Sequence, residues 1–328
     1  MSQENMSQEN ILSINNLTVE FGSELGTQTA LHGISFAMQR GRTTAIVGES
    51  GSGKSVTAYS TLRLIEAPGR ITAGEILFRP TGLPMFDILA LPPDSDALYN
   101  LRGNQIAMIF QEPMTALSPV HTIGNQVMEA ILTHRPVGQA EAFSQATDML
   151  RRVGINNAKE RMHQYPFEFS GGMRQRVVIA MALVCQPELL ICDEPTTALD
   201  VTIQAEILAL IRDLKDEFNS SVLFITHDLG VVAQIADDVV VMHQGRILES
   251  GSVRQVLKSP LHPYTRGLLG AMPGLPGLQQ RRHDKTRRLT TVGETQGTND
   301  FGPYPLIRLS DGRQVALPQT QIDEALKP

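Results

Sequence analysis

The sequence predicts an α/β fold. Three observations carry this. Residues 43–47, 189–192 and 222–226 are short continuous apolar runs bounded by polar residues, the pattern of strands buried on both faces of a parallel sheet. Between the last two, residues 202–218 place Ile203, Ile207, Leu210, Ile211 and Leu214 at helical spacing on one inner face. Strand and helix patterns therefore alternate, which is the order of an α/β core.

Element by element, the chain opens with MSQEN written twice, which predicts a disordered tail over 1–10 with Met6 as an alternative start. Residues 11–21 and 30–38 alternate apolar and polar side chains, as half-buried strands do. The run 43–47 ends at Gly48, and 55–65 reads as a helix. Another apolar strand, 106–110, is followed by Gln111. The stretch 116–168 is mainly helical in pattern, with Phe143, Ala146, Leu150 and Val153 on one face. Ser170 caps a helix that runs to about residue 184 and stops before Pro187. Residues 239–242 and 246–249 flank Gln244-Gly245 and predict a hairpin. Between Pro260, Pro263 and Pro273 lies a short amphipathic helix, 264–271, in which His262 and Tyr264 are assigned to packing. Beyond about 270 the chain is rich in Gly, Pro and Arg. The basic run QQRRHDKTRRL reads as a solvated linker, with attachment to lipid head groups or a partner protein as the sharper alternative, and 303–318 as a strand pair around Ser310-Asp311-Gly312.

Composition bounds the function. The 328 residues are 41% hydrophobic with a net charge of -6, enough for about two domains, or one large domain with an appendage. Nucleic acid is disfavoured as a partner, because its binders carry a basic stripe. The two cysteines, Cys185 and Cys192, sit in apolar surroundings without metal-ligand spacing, so a reducing compartment is expected. No apolar run approaches the roughly 18 residues of a membrane helix, and the N-terminus lacks the features of a signal peptide. Other chains must supply the membrane if this one serves a membrane process.

GESGSGKS, residues 48–55, fits G-x-x-x-x-G-K-[ST] between a strand and a helix. Its residues are Gly48, Glu49, Ser50, Gly51, Ser52, Gly53, Lys54 and Ser55, with Val56 following. The glycines let successive N–H groups turn toward phosphate oxygens, and the helix adds its positive end. Lys54 reaches the β- and γ-phosphates of a nucleoside triphosphate, and the Ser55 hydroxyl ligates Mg²⁺; the loop alone leaves many NTPases open. LLICDEP places Asp193 and Glu194 where an apolar strand emerges. Asp193 suits the hold on Mg²⁺, and Glu194 can act on water as a general base.

FSGGMRQR at 169–176 resembles the signature motif of ATP-binding-cassette (ABC) proteins. The order is also similar to that family: phosphate loop, Gln111 in the Q-loop position, signature, Asp193-Glu194, Ala198-Leu199-Asp200 as D-loop, and His227 as switch histidine. The resemblance covers about residues 11–270. It implies a P-loop NTPase (RecA-like) core with an antiparallel β subdomain, a helical subdomain inserted over about 116–175, and a C-terminal extension over 271–328. It implies that Phe21 stacks on adenine, and that Ser170, Gly171 and Gly172 face the nucleotide of a second ATP-binding subunit. Gln111 would touch Mg²⁺ and the attacking water, His227 the γ-phosphate, and Asp200 would couple the two subunits.

IFQEPMTALSP, DEPTTALDVTIQAEIL and SPLHPYTRGLLGAMP look like the importer branch that handles dipeptides, oligopeptides and nickel. That implies two transmembrane permeases, a second ATP-binding subunit in a homo- or heterodimer, an extracytoplasmic solute-binding protein, and a peripheral place on the cytoplasmic face of the inner membrane. Many members carry a cysteine cluster in the C-terminal extension. This chain has no cysteine after Cys192, so 271–328 is an atypical extension and an iron–sulfur centre is not expected. Two other readings compete. A soluble ABC ATPase acting on DNA or ribosomes calls for a long coiled coil, zinc cysteines or two cassettes in one chain. An ATPase-inactive partner sits badly with intact Lys54, Glu194 and His227.

Overall fold

The computed structural model describes residues 10–24, 26–111, 116–197, 199–271 and 304–326. The expected tail up to residue 9, Ala198 of the D-loop and the basic run at 279–289 lie outside the described residues.

β1 (Asn10–Ser23) and β2 (Gly26–Gln39) form a long antiparallel hairpin. β3 (Thr43–Val47) leads through the glycine loop into α1 (Lys54–Thr61). β4 (Gly69–Phe78), β5 (Phe86–Asp87), α2 (Asp96–Leu101) and β6 (Ile106–Ile109) follow. Next come the helices α3 (Ile123–His134), α4 (Gln139–Arg152), α5 (Ala158–Arg161) and α6 (Gly171–Leu183). β7 (Leu189–Asp193), α7 (Val201–Phe218), β8 (Ser221–Thr226) and α8 (Leu229–Ile235) alternate. The hairpin β9 (Asp238–His243) and β10 (Arg246–Ser252) is followed by α9 (Val253–Lys258) and α10 (Pro263–Gly270). The last described stretch carries β11 (Ile307–Arg308), β12 (Gln314–Val315) and α11 (Gln319–Ala325).

Two sheets frame the molecule. The smaller has the order β2-β1-β4-β5 and is antiparallel. The larger has the order β11-β12-β10-β9-β3-β8-β7-β6. Its strands from β9 to β6 are parallel, and the remaining pairings are antiparallel. Every residue of β3, β7 and β8 is buried, which is what continuous apolar runs dictate. One core packs Ile14 and Phe78 of the small sheet against Ile46, Ile191 and Leu223 of the large one. Another packs Val127, Leu150, Ile179 and Ile207 of the helices against Cys192, Val222 and Phe224. The parallel strands are thus covered on both faces. Among the described residues no helix is long and apolar enough to cross a membrane.

Two differences from the sequence reading have physical causes. α1 ends at Thr61 rather than near residue 65, because Arg63 turns left-handed (φ 52°). Its N–H donates to Ser60 O and that of Leu64 to Tyr59 O, which closes the helix as a Schellman turn does. β4 was not anticipated, since its burial is irregular and Gly74, at φ 100°, breaks its alternation. The strand pair around Ser310-Asp311-Gly312 forms, and it extends the main sheet alongside β10.

Candidate nucleotide site

The loop 48–55 runs from the end of β3 into α1 along one wall of a cleft of about 350 Å³. Only glycine fits at 48, since a Cβ there would lie 2.1 Å from the Met242 carbonyl oxygen. Gly53 caps α1 in the left-handed region at φ 98°, which glycine adopts at little cost. The first turn of α1 carries no acidic residue, so its positive end is left for an anion. Lys54 is 5% exposed, and its Nζ donates to the carbonyls of Gly48 (2.9 Å) and Glu49 (2.8 Å). Burial lowers its pKa, opposed by the nearby carboxylates of Glu194, Asp193 and Glu49.

Parallel pairing of β7 with β8 sets Glu194 on the cleft and buries Asp193 behind Ser55. The Ser55 hydroxyl donates to Asp193 Oδ1 at 3.0 Å. Asp193 is fully buried, and its Oδ2 accepts no hydrogen bond. Burial pushes its carboxyl up to about 6, with Glu194 adding to the rise and Ser55 and Lys54 opposing it. A buried, unpartnered carboxylate oxygen beside a serine hydroxyl is a donor set that fits a hard divalent cation.

Glu194 follows at φ 48°, a left-handed backbone that non-glycine residues seldom take and that concentrates at functional sites. Its N–H donates to Ile225 O at 3.0 Å, fixing the turn to β8. Its side chain is held on both oxygens. Thr197 Oγ1 donates to Oε2 at 2.9 Å, and His227 Nδ1 lies 3.3 Å from Oε1. Glu194 and Gln111 both line the cleft, as do Ser50, Gly51, Gly53, Lys54, Ser55 and Val56.

Other expected residues stand elsewhere. Phe21 sits at the tip of β1 opposite Gln28, which borders the cleft, while its own ring packs beside Gly69 and does not line it. Ser170 caps α6 by accepting the Met173 N–H at 3.3 Å, and Ser170 and Gly171 are exposed outside the cleft. Gly172 packs toward Ile203 of α7. Asp200 caps α7 through the Ile203 N–H at 3.0 Å and is likewise exposed. Three contributors escaped the sequence reading. Thr197 holds the carboxylate of Glu194. Gln175, 1% exposed in α6, donates to the Pro195 carbonyl at 2.7 Å and ties the signature helix to the turn after Glu194. The hairpin tip Gln244-Gly245 reaches into the cleft, and Gly245 N–H donates to Ser52 O at 3.0 Å. QG marks a turn in sequence, but nothing local marks where that turn docks.

Comparison with known proteins gives the family. Residues 31–197 match the ABC transporter family, and residues 248–298 match the C-terminal region of oligopeptide/dipeptide transporters. The chain is similar to the oligopeptide transport ATP-binding protein OppD of Salmonella typhimurium, with 50% identity over 92% of this chain and 84% of that protein. OppD of Escherichia coli K12 is 47% identical over 92% of this chain and 83% of its own length. The glutathione import ATP-binding protein GsiA of Escherichia coli O157:H7 is 49% identical over 93% of this chain but 49% of its own. Among solved structures, the ATP-binding cassette MJ0796, seen as a dimer after hydrolysis with ADP and phosphate, superposes with a TM-score of 0.64 at 25% identity. That alignment covers 74% of this chain and 99% of the cassette. A family match over residues 31–197 and identity of about half over most of the chain together show that the chain belongs to the ATP-binding subunits of the ABC transporter family.

Proposed function

We propose that this chain hydrolyses ATP to energise import of peptides, or of a related solute such as nickel, through a multi-subunit ABC transporter. One observation carries the catalytic part: Lys54, the Ser55–Asp193 pair, Glu194 with His227, and Gln111 converge on one cleft from separate segments of the chain. The transport part is supported by identity of about half over most of the chain to OppD and by the C-terminal match.

The loop amides and Lys54 hold the triphosphate, and the start of α1 faces its charge. Ser55 and Asp193, with Gln111, would hold Mg²⁺, which when bound neutralises charge on the phosphates. Glu194, steadied by Thr197, accepts a proton from water as the water oxygen bonds to the γ-phosphorus. The bond from that phosphorus to the bridging oxygen breaks, giving ADP and phosphate. His227 stays beside Glu194 and orients the γ-phosphate.

Ser170 and its helix end are exposed and outside this chain's own cleft, which suits a nucleotide bound to a second subunit. Two such subunits, alike or different, would sandwich two ATP molecules and drive two permeases, with an extracytoplasmic binding protein supplying the solute. The place of action is then the cytoplasmic face of the inner membrane, held by the permeases. Glu194→Gln should lower kcat for ATP hydrolysis by about 100-fold or more while ATP still binds. Turnover at the parental rate would remove Glu194 from the role of base.

A further inference from the structure

Against the phosphate loop lies a group of C-terminal side chains that the reaction above does not use. Tyr264, in the first turn of α10, is 5% exposed. Its hydroxyl oxygen accepts the backbone N–H of Glu49, the second residue of the loop, at 3.2 Å. Its ring sits against the His243 imidazole of β9, with centroids 4.4 Å apart. The loop is also gripped by the hairpin, through Gly245 N–H to Ser52 O and the Met242 carbonyl over Gly48. Tyr264 adds a further grip at Glu49, from beside His243 of the hairpin.

The position of Tyr264 is itself fixed from two directions. Glu249 of β10 is fully buried and accepts the N–H groups of Leu261 (2.9 Å) and His262 (3.0 Å), just ahead of α10. Arg313, 6% exposed just ahead of β12, donates from Nη1 to the Ser259 carbonyl at 2.8 Å and from Nε to Asp311 at 2.7 Å. The turn 259–262 is therefore pinned between β10 and the C-terminal strand pair, and Tyr264 follows that turn two residues later.

We propose that Tyr264 is a positioning residue for ATP: its hydroxyl holds the phosphate loop in its binding shape, and the C-terminal strand pair sets its place through Arg313. This rests on reading 48–55 as the triphosphate cradle. Such a cradle works by aligned backbone N–H groups, so a loop held in shape before ATP arrives loses less freedom on binding. Burial pushes the Tyr264 hydroxyl up to about 12, which keeps it a neutral partner for the amide at physiological pH. The bond is made before and during the reaction alike, so its loss should move KM rather than kcat.

Tyr264→Phe keeps the ring and removes the hydroxyl. On the full-length chain, titration calorimetry with ATP and magnesium should show an affinity about three- to tenfold weaker, the effect of one neutral hydrogen bond. KM for ATP should rise by a similar factor with kcat within about twofold, and amide exchange across residues 48–52 should quicken. Lys54→Ala serves as the control for the cradle. If Lys54→Ala abolishes binding while Tyr264→Phe binds as the parent does, the positioning role is overturned and the cradle stands. If the parent itself binds no ATP, both fall. Arg313→Gln should weaken ATP binding in the parent and add nothing in the Tyr264→Phe background. Additive effects would overturn the link through Arg313.

Discussion

His262 is fully buried at the N-cap of α10, where its Nδ1 accepts the Tyr264 N–H at 3.1 Å. That bond requires an unprotonated Nδ1. Burial, helped by His243 and Arg266, lowers its pKa from 6.5 to about 4. Between those values the unfolded chain binds the proton and the folded chain does not. Stability from this site is therefore complete above about 6.5 and is lost as pH falls toward 4. Glu249, raised by burial, contributes with the opposite sign, so a variant must be compared with its parent. His262→Asn keeps a side-chain acceptor at the cap. Its melting temperature should fall less than the parent's between pH 7 and pH 5, by the equivalent of about 1–2 kcal/mol. Equal falls would show that His262 does not titrate in that window. At the same scale, Tyr264 marks the limit of sequence reading. Packing was the natural assignment for it, and no local pattern announces a hydroxyl that meets an amide 215 residues earlier.

The strands show why some elements are legible and others are not. β8 carries six buried residues in succession, so its place in the sheet interior is written in its apolar run. Phe224 is fully buried on the helical side, among Ile179, Cys192 and Ile207. Phe224→Ala should cost about 3–5 kcal/mol, read as a lower urea midpoint with unchanged slope. A cost under 1 kcal/mol would mean that the layer above β8 collapses freely into the space. β4 carries no such message, because seven of its first residues mix exposed and half-buried positions and its partner β1 pairs with it through register shifts. The nucleotide loop lies at the other extreme. Its spacing, preceding strand and following helix are all local, so Gly48–Lys54 could be placed from sequence, whereas the Ser55–Asp193 and Glu194–His227 contacts come from parallel pairing of β3, β8 and β7.

At the scale of the whole molecule, the glycine loop lines the cleft while the exposed helix end at Ser170 lies outside it. The proposed sandwich therefore makes assembly depend on nucleotide. Glu194→Gln, mixed with ATP and magnesium, should elute from a sizing column at twice the mass it shows with ADP. If this chain works only beside a different subunit, the shift should appear when that subunit is added. No shift under either condition would argue against the sandwich.

The short strands β11 and β12 have a consequence beyond catalysis. β10 would otherwise end the large sheet as a seven-residue rim of unpaired backbone donors and acceptors, an invitation to any other extended chain. β12 pairs with its middle at Glu249 and Ser250, and the sheet then finishes in β11, only two residues long. A rim that brief offers another extended chain little to pair with, which is how short edge strands blunt growth into fibres.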